Sequence, residues 1–397
     1  MAQTGAVIFL PREDGQISRM LEDLLFDPAA LWLSQALESA GVERFFVVCH
    51  GEDRSKAQTC FPDGTKFVTN DSGDAVEQLT GFLQELEGKA LVITRPVVLS
   101  WEGARTLAEG GDTGLAGSQE CGIFRAEGTS LAQALSEGAG LEEALRDKAD
   151  KIGGRSNWYQ SYGPFRSGTQ GRMEAEQMAR QFGAERLLDQ GVRLMDASSC
   201  YVGPQVQVGS GTVLLPGTIL RGETFIGKGC EIGPYSMIRD CVIGDKVTVN
   251  QSQLNESTVE TEAKIGPFAY IRPDCHVGAG VKVGDFVELK NSIIGAGTKI
   301  SHLTYVGDSD VGQKVNFGCG TVTVNYDGST KFRTTIGDNA FIGCNTNLVA
   351  PVKVGDGAYT AAGSTITNDV PPDSLAIARS MQMVKKQWAA KRRKGRR

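Results

Sequence analysis

Residues 226–238 read IGKGCEIGPYSMI and show the pattern that decides the fold: an aliphatic residue returns at about every sixth position, usually followed by glycine. With one interruption, the pattern extends from about Val202 to Ile366. Three hexapeptides, each with one short strand and one tight turn, close a triangular coil of about 18 residues whose aliphatic side chains stack along its axis. We therefore predict a left-handed parallel β-helix, in which the glycine relieves the Cβ penalty at each corner. An ordinary β-sandwich fits less well, because its strands alternate apolar and polar residues and rarely keep one phase for so long.

The interruption lies between Phe317 and Ile336, where the segment GCGTVTVNYDGSTKFRTT separates two aliphatic positions. This segment holds more residues than the flat faces of a coil can absorb, so we expect a loop that stands out from the coil. Loops that leave a rigid scaffold commonly carry binding and catalytic residues.

Strand-like and helix-like stretches alternate from the start of the chain to about residue 150. Such alternation with short links predicts an α/β domain built on a parallel sheet. Residues 151–172 are expected to form a loop, and a helix from about Met173 to Gln190 is expected to lead into the coil. The predicted divisions are an α/β domain at 1–172, a linker helix at 173–195, the β-helix at 196–380 and a basic C-terminal segment at 381–397.

Charge and composition narrow the possible functions. The chain of 397 residues has a formal net charge of −6, although its tail from Lys385 onward is strongly basic. The acidic body, and a tail with Trp388 as its single aromatic residue, favour a solvated segment or a site for a phosphorylated small molecule over nucleic-acid binding. The sequence shows no leader, no apolar run of about 18 residues and no Cys-x-x-Cys among its nine cysteines. We therefore expect a cytoplasmic protein with reduced thiols and no membrane span.

An ordered set of motifs follows between Ile265 and Trp388. The motifs are IGPFAYIRP at 265–273, FVELK at 286–290, SHLTYVGD at 301–308, VNFGCGT at 315–321, NYDG at 325–328, KFRT at 331–334 and AAGSTIT at 361–367. This set resembles the acetyltransferase half of the bacterial bifunctional glucosamine-1-phosphate N-acetyltransferases / N-acetylglucosamine-1-phosphate uridylyltransferases. The resemblance implies acetyl transfer from acetyl-CoA to glucosamine-1-phosphate, in the pathway that supplies UDP-N-acetylglucosamine for cell-wall precursors.

Acetylation of a sugar amine by a thioester needs a base for the amine proton, donors for the tetrahedral oxyanion and cations for the sugar phosphate. The resemblance makes His302 the general base, and Glu288 the carboxylate that orients it. Arg272 and Lys290 have the same phase in successive coils, so they could form a clamp for a phosphate dianion. The resemblance further implies sugar contacts from Tyr305, Asn316, Asn325 and Tyr326, with Asn325 close to the reacting amine.

For acetyl-CoA, the resemblance implies a groove between neighbouring coils and neighbouring subunits. Its residues would be Cys319, Cys344, Ala362, Arg379 and Lys385. Arg379 and Lys385 would face the nucleotide phosphates, whereas Cys319 would contribute its backbone N–H, and Cys344 replaces a common serine. A groove that is shared between subunits requires a homotrimer.

The N-terminal domain departs from the family pattern. A working nucleotidyltransferase of this family has a Gly-rich loop that ends Gly-Thr-Arg-Met, followed by a Pro-Lys pair, and these groups hold phosphates. Here residues 7–20 retain one glycine, Gly15, and the lysine is absent. Pro96 stands where the family has a Mg²⁺-binding Asp, and Gln170 stands near the position of the second ligand, although Mg²⁺ prefers charged oxygen ligands. We expect a degenerate nucleotidyltransferase-like domain without bound Mg²⁺ that has lost uridylyl transfer.

Two other functions stay open. The chain could acetylate a different phosphorylated amino sugar, or it could be a non-catalytic scaffold or regulator in which both halves are relics. Retention of His302 together with Glu288 argues against a scaffold. The intact set of Arg272, Lys290, Tyr305 and Asn325 argues against a different sugar, and a panel of amino sugars separates the two enzymatic alternatives.

Overall fold

The computed structural model describes residues 4–13, 15–110, 122–150 and 161–394. Contacts within the chain divide it into two compact units, Met1–Lys246 and Val247–Arg397. The domain boundaries predicted at residues 172, 195 and 380 rest on secondary structure, whereas the division into two units rests on contacts. The predicted boundaries therefore stay a prediction. Among the described residues, no helix is long and apolar enough to cross a membrane.

The first unit begins with a five-stranded sheet. In spatial order its strands are Lys66–Thr69, Arg44–Cys49, Gly5–Phe9, Lys89–Ile93 and Ile123–Glu127. The first four strands are parallel, as predicted, and the last pairs antiparallel with Lys89–Ile93. Helices flank this sheet at Ala29–Ser39, Arg54–Gln58, Ala75–Gln84, Trp101–Glu109, Gly128–Ser136 and Leu141–Lys148, with short 3₁₀ turns at Arg19–Leu21 and Gly51–Asp53. Two further antiparallel pairs join Asp23–Leu24 to Asp27–Pro28 and Val97–Leu99 to Tyr162–Pro164.

Both faces of the sheet are covered by apolar side chains. In the central strand, Ala6 and Ile8 belong to one buried cluster and Val7 to another, because successive side chains of a strand point to opposite faces. The near-continuous apolar run of this strand is therefore typical of a parallel sheet that is buried on both sides.

A long helix, Gly168–Asp189, leads out of the α/β domain. It starts five residues before the predicted Met173, so the end of the expected loop at 151–172 is helical, and residues 151–160 lie outside the described part of the chain. Ala175, Ala179 and Phe182 are buried and join the core on one side of the sheet. Small and apolar residues at helical spacing explain why the helix is held there.

Short parallel strands then form three faces, as expected for the left-handed β-helix of hexapeptide repeats. In the first unit, the first face has Arg193–Leu194, Val213–Leu214 and Glu231–Ile232; the second has Tyr201–Val202, Ile219–Arg221 and Met237–Arg239; the third has Gln207–Val208, Phe225–Ile226 and Val242–Ile243.

The second unit has the same three faces. Its first face comprises Thr248–Val249, Lys264–Ile265, Lys282–Asp285, Lys299–His302, Asn316–Phe317, Phe341–Ile342, Tyr359–Thr360 and Leu375–Ala376. The second face comprises Gln253–Asn255, Tyr270–Ile271, Glu288–Lys290, Tyr305–Gly307, Val322–Val324, Asn347–Val349 and Thr365–Ile366. The third face comprises Thr258–Val259, His276–Val277, Ile293–Ile294, Ser309–Val311, Thr334–Ile336 and Val352–Val354. A final helix spans Trp388–Lys394.

Strands on one face pair in register from one coil to the next. Ile271, for example, lies opposite Leu289, and Leu289 lies opposite Val306, and all three are buried. The six-residue period of the sequence therefore corresponds to inward-pointing side chains that stack in columns, as predicted.

The predicted Cβ penalty at the corner glycines is present, and at most of these positions contact between coils, not backbone φ, causes it. Gly227 and Gly355 follow buried aliphatic residues and do not have positive φ. A Cβ at Gly227 would lie 2.6 Å from the carbonyl carbon of Gly244, and one at Gly355 would lie 2.5 Å from the backbone nitrogen of Pro372. Glycine is needed at these two positions because stacked coils approach closely. Positive φ occurs at other positions of the coils, as at Phe286, where φ is 56°.

An ion pair between Arg12 and Asp53 lies beyond the carboxyl end of the central strand Gly5–Phe9. Arg12 donates from Nη2 to Asp53 Oδ1 at 2.6 Å and from Nε to Oδ2 at 3.0 Å, and its Nη1 lies 2.8 Å from Glu52 Oε2. The side chain of Asp53 is only 2% exposed. The hydrogen bonds from Arg12 lower the pKa of Asp53 below its ordinary value.

This pair makes the stability of the α/β domain depend on pH. Because the pKa of Asp53 is lower in the folded than in the unfolded protein, its contribution is present above the unfolded pKa of about 3.9 and is lost as the pH falls through the folded value. We expect Asp53→Asn to lower the urea midpoint at pH 7, and the difference from wild type to shrink by pH 3. Asp63→Asn, at an exposed position, is the control. A difference that does not change with pH would show that the charge of Asp53 is not responsible.

Candidate active site

His302 and Asp285 form a hydrogen-bonded pair where the first face turns into the second. They end the neighbouring strands Lys299–His302 and Lys282–Asp285 and lie opposite each other in the strand register. His302 Nδ1 lies 2.5 Å from Asp285 Oδ1, and the His302 side chain is 58% exposed. The hydrogen bond to His302 lowers the pKa of Asp285. The pair is therefore held by the coil on one side and open to a ligand on the other.

The expected contact between Glu288 and His302 is not formed. Glu288 Oε1 instead accepts a hydrogen bond from Arg272 Nη1 at 2.9 Å. Glu288 lies within the second face, opposite Tyr270 and Tyr305, whereas His302 lies at the corner and meets Asp285. The prediction that Glu288 orients His302 is corrected accordingly: the carboxylate beside His302 is that of Asp285.

Sequence reasoning missed Asp285, although a signal was present. The segments KVGD at 282–285 and KISH at 299–302 have the same phase relative to their buried aliphatic residues, Val283 and Ile300. Equal phase in neighbouring coils places their last residues side by side. When Nδ1–H of a neutral imidazole donates to a carboxylate, Nε2 becomes the acceptor, as a general base requires.

Arg272 and Lys290 lie in successive coils, as predicted. The backbone N–H of Arg272 donates to the carbonyl of Leu289, the residue before Lys290, at 2.9 Å. Each cation has a carboxylate partner of its own, because Arg272 meets Glu288 and Lys290 Nζ lies 3.0 Å from Asp308 Oδ2. The two cations thus lie in adjacent coils, and each is paired with a carboxylate.

Asn325 and Tyr305 lie beside this pair of cations. Asn325 Nδ2 is 3.5 Å from Tyr305 Oη and also donates to Asp308 Oδ2. Tyr305 lies opposite Glu288 in the second face. The fold thus brings together Arg272, Glu288, Lys290, Tyr305 and Asn325, which the motifs placed in four separate segments.

The predicted loop is present after Asn325. Tyr326 and Lys331 form an isolated antiparallel bridge, and Phe332 N–H donates to the Asn325 carbonyl at 2.9 Å. Tyr326 is half exposed, and its hydroxyl donates to the Gly328 carbonyl at 2.6 Å. The loop returns to the coil at Arg333, whose Nη2 lies 2.6 Å from Asp310 Oδ1.

Asn316 is not brought to the same face. It lies in the first face, opposite Lys299 and Phe341, whereas the cations, Tyr305 and Asn325 belong to the second. Contact between Asn316 and a sugar held by the cations stays a prediction.

Three of the residues predicted for the coenzyme continue along the corner that carries His302. Asn345 N–H donates to the Cys319 carbonyl at 2.7 Å, and Gly363 N–H donates to the Cys344 carbonyl at 2.8 Å, so Cys319, Cys344 and Ala362 follow one another coil by coil. We call Asp285, His302, Cys319, Cys344 and Ala362 the corner ladder. Cys344 is exposed, and Cys319 is partly exposed.

The two predicted cations for the coenzyme follow the end of this ladder. Arg379 passes beside Gly363, where an added Cβ would lie 3.7 Å from Arg379 Cδ. Lys385 lies further on, in an exposed segment. The ladder and Arg379 could therefore line one elongated ligand that begins at His302.

In the part of the N-terminal domain that the structure describes, two of the groups considered for a phosphate or metal site have protein partners. Arg12 is engaged by Asp53 and Glu52. Gln170 Nε2 donates to Glu174 Oε1 at 2.9 Å on the exposed side of its helix. Among the described residues, no three His, Cys, Asp or Glu side chains are grouped as metal ligands. Whether Mg²⁺ binds there stays a prediction.

Known proteins resemble this chain in the coil and beyond it. The family "Bacterial transferase hexapeptide (six repeats)" matches residues 333–368. The Bifunctional protein GlmU of Clostridium kluyveri is 52% identical over 219 residues, which is 55% of this chain and 48% of that protein. The Bifunctional protein GlmU of Clostridium botulinum is 48% identical over 250 residues, or 63% and 54% of the two chains.

Among solved structures, an Arabidopsis UDP-N-acetylglucosamine acyltransferase is 14% identical and covers 52% of this chain and 76% of its own, with a TM-score of 0.30. That overlap is too low to bear on function. The chain spans about half the length of the curated relatives it matches. Over that half, and with the hexapeptide repeat that its coil displays, this chain is similar to the bifunctional GlmU proteins.

Proposed function

We propose that this protein transfers the acetyl group of acetyl-CoA to the amine of glucosamine-1-phosphate. The product would be N-acetylglucosamine-1-phosphate, a precursor of UDP-N-acetylglucosamine. The observation that carries the proposal is the placement of the His302–Asp285 pair at the edge of the face that holds Arg272 and Lys290. A base beside a pair of cations suits a substrate that carries both an amine and a phosphate. About 50% identity to GlmU proteins over half of their length supports the same reaction.

The geometry suggests how the reaction proceeds. Arg272 and Lys290 bind the sugar phosphate, and Asn325, whose Nδ2 is turned towards Asp308, presents Oδ1 to the amine. His302 Nε2 takes a proton from the amine as its nitrogen attacks the thioester carbon. The tetrahedral intermediate then collapses, the C–S bond breaks, and the coenzyme thiolate leaves and is protonated. Asp285 stabilises the imidazolium that forms, as a carboxylate does beside a general base.

His302 is expected to contribute to the chemical step alone. His302→Ala should lower kcat by roughly 10²–10⁴-fold, the usual contribution of a general base, and leave acetyl-CoA affinity largely unchanged. The measurement is thiol release with glucosamine-1-phosphate and acetyl-CoA.

His276→Ala is the matched control, because His276 is also exposed and also pairs with a carboxylate, Glu260 at 2.8 Å, but lies on the third face. Equal turnover in wild type and His302→Ala would remove His302 from the mechanism. A panel of phosphorylated amino sugars, run with wild type, tests the choice of substrate.

We further propose that acetyl-CoA binds along the corner ladder, and that a second copy of the chain covers it in a homotrimer. Apolar side chains line the same corner beside the ladder: Phe268, Phe286 and Leu303 are all more than half exposed. The rings of Phe268 and Phe286 stack with centroids 5.3 Å apart. A stripe of this kind favours an interface with another protein surface.

Light scattering should therefore give a mass of about three times the 42.4 kDa of one chain.

Ending the chain after Met381 removes Lys385 and should weaken acetyl-CoA binding, as measured by calorimetry. A fully active monomer would contradict the shared site.

We also propose that the N-terminal domain has lost uridylyl transfer. The support is cumulative: one glycine remains in residues 7–20, Arg12 is neutralised by Asp53, and Pro96 and Gln170 stand at the positions of the family's metal ligands. Loss of the phosphate cradle together with the metal removes most of the electrostatic stabilisation on which such transfer depends.

With UTP, N-acetylglucosamine-1-phosphate and Mg²⁺, we expect no pyrophosphate above background. Acetyl transfer by the same preparation is the control for a folded enzyme. Turnover at about 1 s⁻¹ or faster, an ordinary enzyme rate, would show that the domain is active.

A further inference from the structure

We infer that Asp308 is a positioning residue of the proposed acetyltransferase site, which fixes Lys290 of the phosphate clamp and Asn325 beside the amine with one carboxylate. The inference rests on the proposed function. Asp308 ends the motif SHLTYVGD, but the sequence assigned it no role, because that role depends on contacts between three coils.

The carboxylate of Asp308 receives three side chains. Lys290 Nζ lies 3.2 Å from Oδ1 and 3.0 Å from Oδ2, and Asn291 Nδ2 donates to Oδ1 at 2.7 Å. Asn325 Nδ2 donates to Oδ2. A single group thus joins the phosphate-binding cation to the amide at the start of the loop.

The main chain of Asp308 fixes its position. Its N–H donates to the Lys290 carbonyl at 2.9 Å, and its own carbonyl accepts from Thr334 N–H at 3.1 Å, where the loop returns to the coil. The side chain is only 5% exposed. Asp308 therefore contacts the clamp and both ends of the loop, and it has little freedom to move.

Burial alone would raise the pKa of Asp308, but hydrogen bonds from Asn291, Lys290 and Asn325 lower it below its ordinary value. The group is therefore ionised at neutral pH and can only accept hydrogen bonds. Because a carboxylate cannot donate, Asn325 must turn Nδ2 towards it and Oδ1 away from it. That orientation is the one in which Asn325 can accept a hydrogen bond from a substrate amine.

Asp310 provides a matched control. It holds the same loop through Arg333, with Nε at 2.9 Å and Nη2 at 2.6 Å, but the structure records no contact of its side chain with Lys290 or Asn325. Asp310→Asn therefore tests loop anchoring alone. Asp308→Asn keeps the shape of the side chain, and asparagine tolerates the positive φ of 48° at this position, but the new amide can donate as well as accept.

The experiment is a double-mutant cycle on the full chain with Asp308→Asn, Asn325→Ala and the double variant, and Asp310→Asn as control. We expect Asp308→Asn to lower kcat about tenfold or more and to raise KM for glucosamine-1-phosphate, with KM for acetyl-CoA changed less than about twofold. Because Asp308 acts through Asn325, the kcat of the double variant should lie within about threefold of that of Asn325→Ala. Asp310→Asn should change kcat less than about threefold.

Additive losses in the cycle, or equal losses in Asp308→Asn and Asp310→Asn, would overturn the inference, because either result describes general damage to the loop. Wild-type kinetics in Asp308→Asn would overturn it as well, while acetylation by wild type would leave the proposed function standing. An inactive wild type would instead remove the proposed function and any role of Asp308 in it. Should Asp308→Asn fail to fold, Asp308→Glu, which keeps the charge but lengthens the side chain, takes its place in the cycle.

Discussion

The in-register stacking of parallel coils is the constraint on which the candidate site depends. Neighbouring strands in a sheet lie about 4.8 Å apart, so each outward side chain has a neighbour at that spacing above and below. The register turns residues that are distant in sequence into contacts: Asp285 with His302, Arg272 with Glu288, and Lys290 with Asp308. A hydrogen-bonded backbone supports every one of these pairs, so the candidate site is preorganised.

The loop at Asn325 exploits the same rigidity. Because the coils on both sides keep their register, the extra residues leave the second face and return on the third without disturbing either. The buried carboxylate of Asp308 and the partly exposed carboxylate of Asp310 hold its two ends, and its tip carries the exposed Tyr326. In the proposed function, the loop that breaks the repeat would contribute Asn325, while the unbroken coils would provide fixed positions for the base and the cations.

The coil could be predicted from the sequence because each hexapeptide buries one aliphatic residue, so the buried positions repeat with the same six-residue period. Ile271 and Leu289 show the period directly. Partners of surface charges could not be predicted in the same way, because they depend on where each strand ends relative to a corner. Glu288 and Asp285 differ by three residues, and only the register shows that the nearer carboxylate belongs to Asp285. Similarly, the amino-acid pattern shows that a glycine is required at Gly355. It does not show that the reason is the close approach of the next coil.

The paired state of the clamp has a consequence for how a phosphate arrives. Arg272 and Lys290 each have a carboxylate partner already, so these two ion pairs add little net positive charge to the face. Steering by net positive charge accelerates association and is weakened by salt. An anion that binds here must instead displace or share the hydrogen bonds between each cation and its carboxylate partner. This requirement favours a ligand whose shape fits the corner over an arbitrary polyanion. Under the proposed function, selectivity at this site would therefore be decided after the encounter and not during the approach.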